Sequence, residues 1–357
     1  MSRPDTPPDG PSRPPLVTAV VVNYQAWPDV AALVGTLAAS DEVASGLCEV
    51  VVVDNASDGP VPDLFRSPPR GVRLIARGNN GGFAVGVNAG WRASHSPWVL
   101  LVNPDVAPPD DLLARVVERV HRFEPNDPPG VVGFSLRNPD GTSQPSVGVF
   151  PTLARTVWEQ LIPRSRRKYQ AIWRTRPGPV DWVTGACMLA SACMLDEVGG
   201  MDEDFFLYYE EVALCREARR RGWRVEYDPT VEVVHLRPLQ NRPVTPRMRV
   251  ITRHSKTLYF RKHLPRWQFL GLCAIVAAEA MLSGFWARLR GRGEDARSWE
   301  TVARIGRSLR RGSRLGGRDV LALADAVSGP RPSPRPAAPS RVTGRSGQHS
   351  ITPREGQ

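Results

Sequence analysis

The sequence has little with which to staple itself together. Five cysteines (Cys48, Cys187, Cys193, Cys215 and Cys273) stand in 357 residues, an odd number, widely scattered and without a CxxC pair. That argues against a disulfide framework, a structural zinc site and a thioredoxin-like motif, and fits reduced thiols in the cytosol. The opening MSRPDTPPDGPSRPP has no apolar h-region, so no secretory signal is expected. No GxGxxG follows the first apolar run and no GxxxxGK[ST] occurs, which disfavours dinucleotide oxidoreductases and P-loop NTPases. No internal repeat is visible.

What is present suffices for a core. The length allows about two domains, or one large domain with tails. Hydrophobic residues make up 41% and charged residues 23%, so the bulk is neither disordered nor fibrous. The net charge of +11 is uneven: residues 242–318 hold 18 lysines and arginines against 4 acids, while residues 1–241 hold 24 against 29. Residues 1–15 and 319–357 are rich in proline and polar residues and are expected to be disordered tails.

From Leu16 the pattern is periodic. LVTAVVVNY and CEVVVVDN are continuous β-branched runs, as expected of strands buried on both faces. VRLIA and WVLLVN read as two more strands. Helical segments fall over Val30 to Ala39, Phe83 to Ala93 and Pro108 to Arg122. Such alternation implies an α/β fold with a doubly wound, mostly parallel sheet. Ligands bind outside the carboxyl ends of such strands, where Asn23-Tyr24, Asp54-Asn55 and Asn103-Pro104-Asp105 stand. A helix within Asp204 to Gly222 carries Tyr208, Tyr209, Glu210 and Glu211 at its start, and a strand runs from Val231 to His235. The basic, aromatic stretch RSRRKYQAIWRTRP is read as a surface loop.

The polar residues at the strand ends allow two readings each. Asp54 begins either an Asx turn or a site that accepts hydrogen bonds from a pyrimidine edge. Gly82, Gly86 and Gly90 recur every fourth residue and let a helix approach the sheet, yet Asn80 and Asn88 are harder to explain by packing. Pro104 stiffens the turn that ends a strand and fixes Asp105 at its edge. A carboxylate there suits Mg²⁺ or Mn²⁺ on a diphosphate, and His235 is a credible second ligand for Mn²⁺. Glu210-Glu211 follow an apolar approach, DEDFFLYYEE, where a carboxylate can have a raised pKa and act as a general base.

The order NY, DNAS, NNGGF…N, NPD, DWVTGACMLA, GGMDEDFFLYYEE and GWRVEYDPTVEVVH resembles the family 2 inverting glycosyltransferases of GT-A fold, rhamnosyltransferase-like branch, over about residues 16–262. The resemblance implies a glycosyltransferase domain over 16–262, a nucleoside diphosphate sugar donor and a divalent metal, Mg²⁺ or Mn²⁺. It assigns Asn23, Tyr24, Asp54, Asn55, Asn80, Gly82, Asn88 and Asn103 to the donor and Asp105 and His235 to the metal. Trp182, Thr184, Gly185 and Glu210 fall on the acceptor side, and Glu211 in the position of the base. Here the base is Glu where the family usually has Asp, and Ala213 replaces its next acidic residue. Cell-envelope polysaccharide assembly is the implied setting, with dTDP-rhamnose as donor and a lipid-linked glycan as acceptor. A degenerate, non-catalytic scaffold at the membrane is the alternative.

Residues 263–318 form a basic extension. Residues 267–287 are nearly all apolar, but Gln268, Glu279, Ser283 and Arg290 share one stripe at helical spacing. A central charge disfavours spanning. The expectation is a helix docked on an anionic membrane at the cytoplasmic face, against the alternative of one buried on the enzyme. No nucleic-acid partner is expected, because no zinc or RNA-binding signature accompanies the basic stretch.

Overall fold

The structure, a computed structural model, describes residues 14–160, 177–237 and 243–328. The basic loop and most of both expected tails lie outside the described residues. The first half runs β1 (Val17–Asn23), α1 (Trp27–Ala38), α2 (Asp41–Ala44), β2 (Cys48–Asp54), α3 (Asp63–Arg66), β3 (Val72–Ala76), α4 (Phe83–Arg92), β4 (Trp98–Val102), β5 (Val106–Ala107) and α5 (Leu112–His121). Then come β6 (Val131–Arg137), β7 (Ser143–Gln144), β8 (Val147–Gly148), α6 (Leu153–Gln160), β9 (Gly178–Pro179), β10 (Trp182–Val183), β11 (Cys187–Ser191), α7 (Ala192–Val198), α8 (Glu210–Arg220) and β12 (Val225–His235). Four helices follow: α9 (Pro246–His263), α10 (Arg266–Leu289), α11 (Gly293–Arg310) and α12 (Gly317–Ser328).

The main sheet has the order β3-β2-β1-β4-β11-β6-β12-β5, with β7 and β9 attached to β6 and β12. Its first four strands are parallel. Strand β11 enters antiparallel to both β4 and β6, so the sheet becomes mixed there, while β12 runs parallel to β6. The chain winds outward from β1 through β2 to β3, then returns to β4 on the other side of β1. That reversal opens a crevice at the carboxyl ends of β1 and β4.

The valine runs are buried on both faces, as their pattern predicts. Val20, Val22, Val51 and Val53 lie on the α4 side of the sheet, in one core cluster with residues of α8 and the C-terminal helices. Val21, Val50 and Val52 pack against α1 and α5 on the opposite face. Local chemistry sets several boundaries. Ser191 caps α7, which stops at left-handed Gly199. Thr245 Oγ1 accepts the Met248 amide ahead of Pro246, so α9 starts at a side-chain cap followed by proline. Burial pushes the Cys48, Cys187 and Cys215 thiols up to about 12, which keeps them protonated and inert.

Two expected boundaries are corrected. Residues 319–328 are not tail: they continue α12, whose Val320, Ala324 and Val327 are buried. Asp325 also pairs with Arg247 at 2.6 Å. Nor does the extension stand apart, because α9 through α12 share one core with the sheet. A third correction concerns α8, which begins at Glu210; Tyr208 and Tyr209 precede it with φ of 68° and 74°.

The glycine spacing in α4 has a steric cause. A Cβ on Gly86 would stand 2.6 Å from Val22 Cγ1 of β1, and one on Gly90 would overlap Val20. We expect Gly86→Ala to destabilise the fold. Overpacking costs about 1–3 kcal/mol, offset by about 1 kcal/mol of helix propensity. Urea denaturation checks this, and a midpoint at or above that of the parent chain would remove the close-packing explanation.

Candidate active site

Asn23 and Asp54 are register partners at the ends of β1 and β2. Asn23 is fully buried and donates through Nδ2 to Asp54 Oδ1 at 2.8 Å and to Ser57 Oγ at 3.0 Å. Its Oδ1 accepts the Ala26 amide. The Ser57 amide also donates to Asp54 Oδ2 at 3.2 Å. Asp54 is thus held in one orientation as an acceptor, with Asn23 behind it and Tyr24 next in the chain. Asn55 is buried, and its Nδ2 donates to the Gly82 carbonyl at 2.9 Å, which ties the glycine-rich loop to β2.

The two expected metal ligands meet through a short strand pair. After Asn103-Pro104-Asp105 the chain turns into β5, which pairs antiparallel with the end of β12 and sets Val106 opposite His235. The Leu236 amide then donates to the Asp105 carbonyl at 2.8 Å. These bonds bring His235 Nε2 to 3.3 Å from Asp105 Oδ1. Neighbouring ligands of an octahedral ion at about 2.1 Å stand about 3 Å apart, so the pair fits one shared Mg²⁺ or Mn²⁺. Among the described residues no group of three His, Cys, Asp or Glu could hold a metal, so diphosphate and water would complete its shell. Asn103 sits at the same turn, its Oδ1 buried without a hydrogen-bond partner among the described residues.

The remaining residues gather around two facing loops. Asn80 Oδ1 accepts the Gly82 amide at 3.0 Å, and Gly82 has a φ of 99°. A Cβ there would collide with the Phe206 carbonyl, so only glycine fits. The Phe83 amide donates to that same carbonyl at 2.9 Å. Asn88 does not line the donor side as expected. It is buried, its Oδ1 accepting the Met201 amide and its Nδ2 donating to the Met201 carbonyl and Glu203, each at 2.8 Å. Its role is to clamp the 201–209 segment that leads to Glu210 and Glu211. Both glutamates are buried in the first turn of α8. A Cβ at Gly185 would lie 3.5 Å from the Phe83 ring and 3.9 Å from Glu211 Cβ, so Gly185 separates glycine-rich loop from proposed base. Thr184 precedes it, its amide donating to the Ser146 carbonyl. Trp182 is a core residue: 4% exposed, packed over Gly148, with Nε1 donating to the Val149 carbonyl at 3.0 Å.

Two residues of the site carry no motif that sequence reasoning could use. Gln144 of β7 places its side-chain amide 2.9 Å from His235 Nδ1. Turned so that its oxygen accepts the Nδ1 proton, it leaves the Nε2 lone pair toward Asp105, the usual arrangement behind a metal-binding imidazole. Arg237 lies two residues after His235, with Nε 4.0 Å from Asp105 Oδ2, and also pairs with Asp29. Its only sequence signal was adjacency to His235.

The clamp assignment has a direct consequence. Asn88→Leu keeps the volume but leaves the Met201 amide and carbonyl without their partner, at about 1–3 kcal/mol for each unsatisfied group. A fall in urea stability of that order is expected, with binding of a nucleoside diphosphate retained by the folded fraction. Unchanged stability with lost nucleotide binding would return Asn88 to the donor side.

The N-acetylglucosaminyl-diphospho-decaprenol L-rhamnosyltransferase of Mycobacterium tuberculosis is 27% identical over 238 residues, covering 62% of this chain and 76% of that protein. The low-salt glycan biosynthesis hexosyltransferase of Haloferax volcanii is 26% identical over 229 residues, covering 62% of this chain and 68% of that one. Among solved structures, the Pyrobaculum calidifontis mannosyltransferase with GDP-Man and Mn²⁺ aligns over 88% of this chain and 87% of its own, at TM-score 0.48 and 18% identity. Residues 14–268 match the family described as Glycosyltransferase like family 2, and the chain belongs to that family of glycosyltransferases.

Proposed function

We propose that the chain is an inverting, metal-dependent rhamnosyltransferase that moves the sugar of dTDP-rhamnose onto a lipid-linked glycan acceptor in cell-envelope polysaccharide assembly. The observation that carries this reading is the division of labour among carboxylates. Asp54 is an oriented acceptor at the end of β2. Asp105 stands beside His235, and Glu211 starts a different element, α8. The choice of rhamnose and of a lipid-linked diphosphate acceptor is supported by the name of the mycobacterial relative.

In this mechanism Asp54 accepts hydrogen bonds from the donor's base. Asp105 and His235 would hold a divalent ion, which would supply positive charge to the departing diphosphate. Glu211 takes the proton from the acceptor hydroxyl as that oxygen attacks the anomeric carbon from the face opposite the diphosphate. One base is enough, since the leaving group departs without needing a proton.

The test is transfer by the full chain from a panel of nucleotide sugars, with Mn²⁺ or EDTA. Glu211→Gln keeps the size and removes the proton acceptor, so turnover should fall about 100-fold or more while donor binding survives. Near-normal turnover in Glu211→Gln sinks the mechanism, and transfer unaffected by EDTA sinks the metal role.

The membrane part of the proposal rests on α10. One face of this helix, with Phe269, Leu272, Val276 and Ala280, is buried in the core. Glu279 pairs with Arg253 at 3.0 Å, and Gln268 accepts the Leu153 amide. The other face exposes Trp267, Met281, Leu282, Phe285, Trp286 and Leu289. The helix is long and apolar enough to cross a bilayer, but a helix packed along one face against its own domain is suited to lie in the interface. Arg288 pairs with Glu300, and Arg290 stacks on Trp286, so the apolar face carries more of the docking than the flanking arginines. A lipid-linked acceptor confined to that surface meets the site at raised effective concentration. Flotation with phosphatidylglycerol vesicles tests this. The full chain should float, and Met281→Glu/Phe285→Glu, which leaves the buried face intact, should not. Equal flotation of both, or a dimer in solution that the double variant dissolves, overturns it.

A further inference from the structure

A cavity of about 900 Å³ lies between the glycine-rich loop after β3, the Glu203-Asp204 turn, the end of α9 and the loop before α12. None of Asp54, Asp105, His235 and Glu211 lines it. Its wall is rich in guanidinium groups: Arg77, Arg261, Arg314 and Arg318. The acids that share the wall are already engaged. Glu203 binds Arg92 at 3.2 Å and Asn88 at 2.8 Å. Asp204 binds Lys262 at 2.5 Å, and Asp319 accepts the Gly316 amide at 3.0 Å.

The four arginines are not neutralised. Among the described residues none of them has a carboxylate within 4.0 Å. Arg261 donates to the carbonyls of Gly312 and Ser313, which holds the side chain and leaves its charge uncompensated. Arg77 Nε is buried and has no hydrogen-bond partner among the described residues. A buried donor left unsatisfied costs about 1–3 kcal/mol and calls for an explanation. The wall is also fixed in place: His254 Nε2 bonds the Leu315 carbonyl at 2.9 Å. Burial lowers the His254 pKa, so the ring stays neutral beside these cations.

Guanidinium forks lining one cavity match phosphate oxygens, which such forks bind in bidentate fashion. The volume suits one small ligand head. The donor's diphosphate is already claimed by Asp105 and His235 on the proposed reading, so the cavity fits a second phosphate-bearing substrate. The path to the chemistry is short in the chain. Gly81 lines the cavity, and two residues on Phe83 approaches Gly185, whose other neighbour is Glu211. We infer that this cavity seats the diphosphate of the acceptor, between its lipid and its sugar, with the sugar directed past the glycine-rich loop toward Glu211. The identity of the diphosphate as the acceptor's rests on the function proposed above; the existence of an arginine-lined diphosphate site does not.

The test uses the full chain and farnesyl diphosphate, titrated calorimetrically in EDTA so that no metal-dependent donor site competes. Arg314 and Arg318 are exposed and outside the proposed catalytic set, so Arg314→Gln/Arg318→Gln should fold. We expect the double variant to bind farnesyl diphosphate at least tenfold more weakly, Asp105→Ala to bind it unchanged, and farnesol to bind poorly to all three. Equal affinity in the double variant, loss in Asp105→Ala, or farnesol binding as tight as the diphosphate each overturns the site. So does a double variant that loses only its affinity for phosphatidylglycerol vesicles, which would mark a headgroup contact. Arginine-dependent binding in a chain that transfers no sugar to a lipid-linked diphosphate keeps the site and discards the acceptor reading. Transfer whose acceptor KM is unchanged in the double variant keeps the reading and discards the site.

Discussion

The short antiparallel pairing of Val106–Ala107 with Val234–His235 is the constraint on which the site depends. Asp105 and His235 are 130 positions apart, on elements that follow different strands of the sheet. Without β5 the turn after β4 would point its carboxylate anywhere along the crevice. Two ladder positions and the Leu236 amide fix it within 3.3 Å of the imidazole. Behind the ring, Gln144 of β7 is itself carried by β6, the parallel neighbour of β12. The carboxylate, the imidazole and the amide that orients it therefore come from one continuous patch of sheet, whose rigidity the site inherits.

A second constraint links the glycine-rich loop to the segment before α8. Phe206 presents its carbonyl to the Phe83 amide against Gly82, while Asn88 grips Met201 from the same stretch of sequence. The glycine-rich loop and the segment that leads to Glu210 and Glu211 are thus one packed unit. This explains why residues 80–90 are rich in glycine and asparagine. The glycines admit neighbouring backbone and valine side chains, and the asparagines satisfy buried backbone groups that the sheet cannot reach.

The strands, their order of appearance and the residues at their carboxyl ends were legible because uninterrupted valine runs have few other places to go. The motif order also named Asp105 and His235, which the structure brings to 3.3 Å, and Glu211, which it sets beside Gly185. Other features were not legible, for identifiable reasons. Strand β11 is antiparallel because of where the chain re-enters the sheet, and no local residue records that. Asn88 and Trp182 sit in motifs rich in site residues, yet their polar atoms are consumed by backbone partners distant in sequence. Gln144 has no neighbour in sequence that marks it. The polar composition after Arg318 suggested a tail, but Val320, Ala324 and Val327, spaced for one helical face, were enough to bury α12.

The turn before α8 shows what the fold tolerates to present its carboxylates. Tyr208 and Tyr209 both take left-handed backbone conformations, which cost a residue with a Cβ about 1–2 kcal/mol each. A regular helix starting at Tyr208 would relieve that strain, but would set Glu210 and Glu211 two positions further from the helix N-terminus. The observed turn ends the apolar approach abruptly, and both glutamates fall where the helix amides are unpaired and the dipole favours negative charge. Tyr209 is anchored by its ring against Tyr259 of α9, at 5.5 Å between centroids. Helix α9 belongs to the same C-terminal layer that carries α10 and its exposed apolar face. The layer that carries this exposed apolar face is therefore also the one that holds the strained turn, so the C-terminal helices are structurally part of the unit that presents Glu210 and Glu211 rather than an appendage to it.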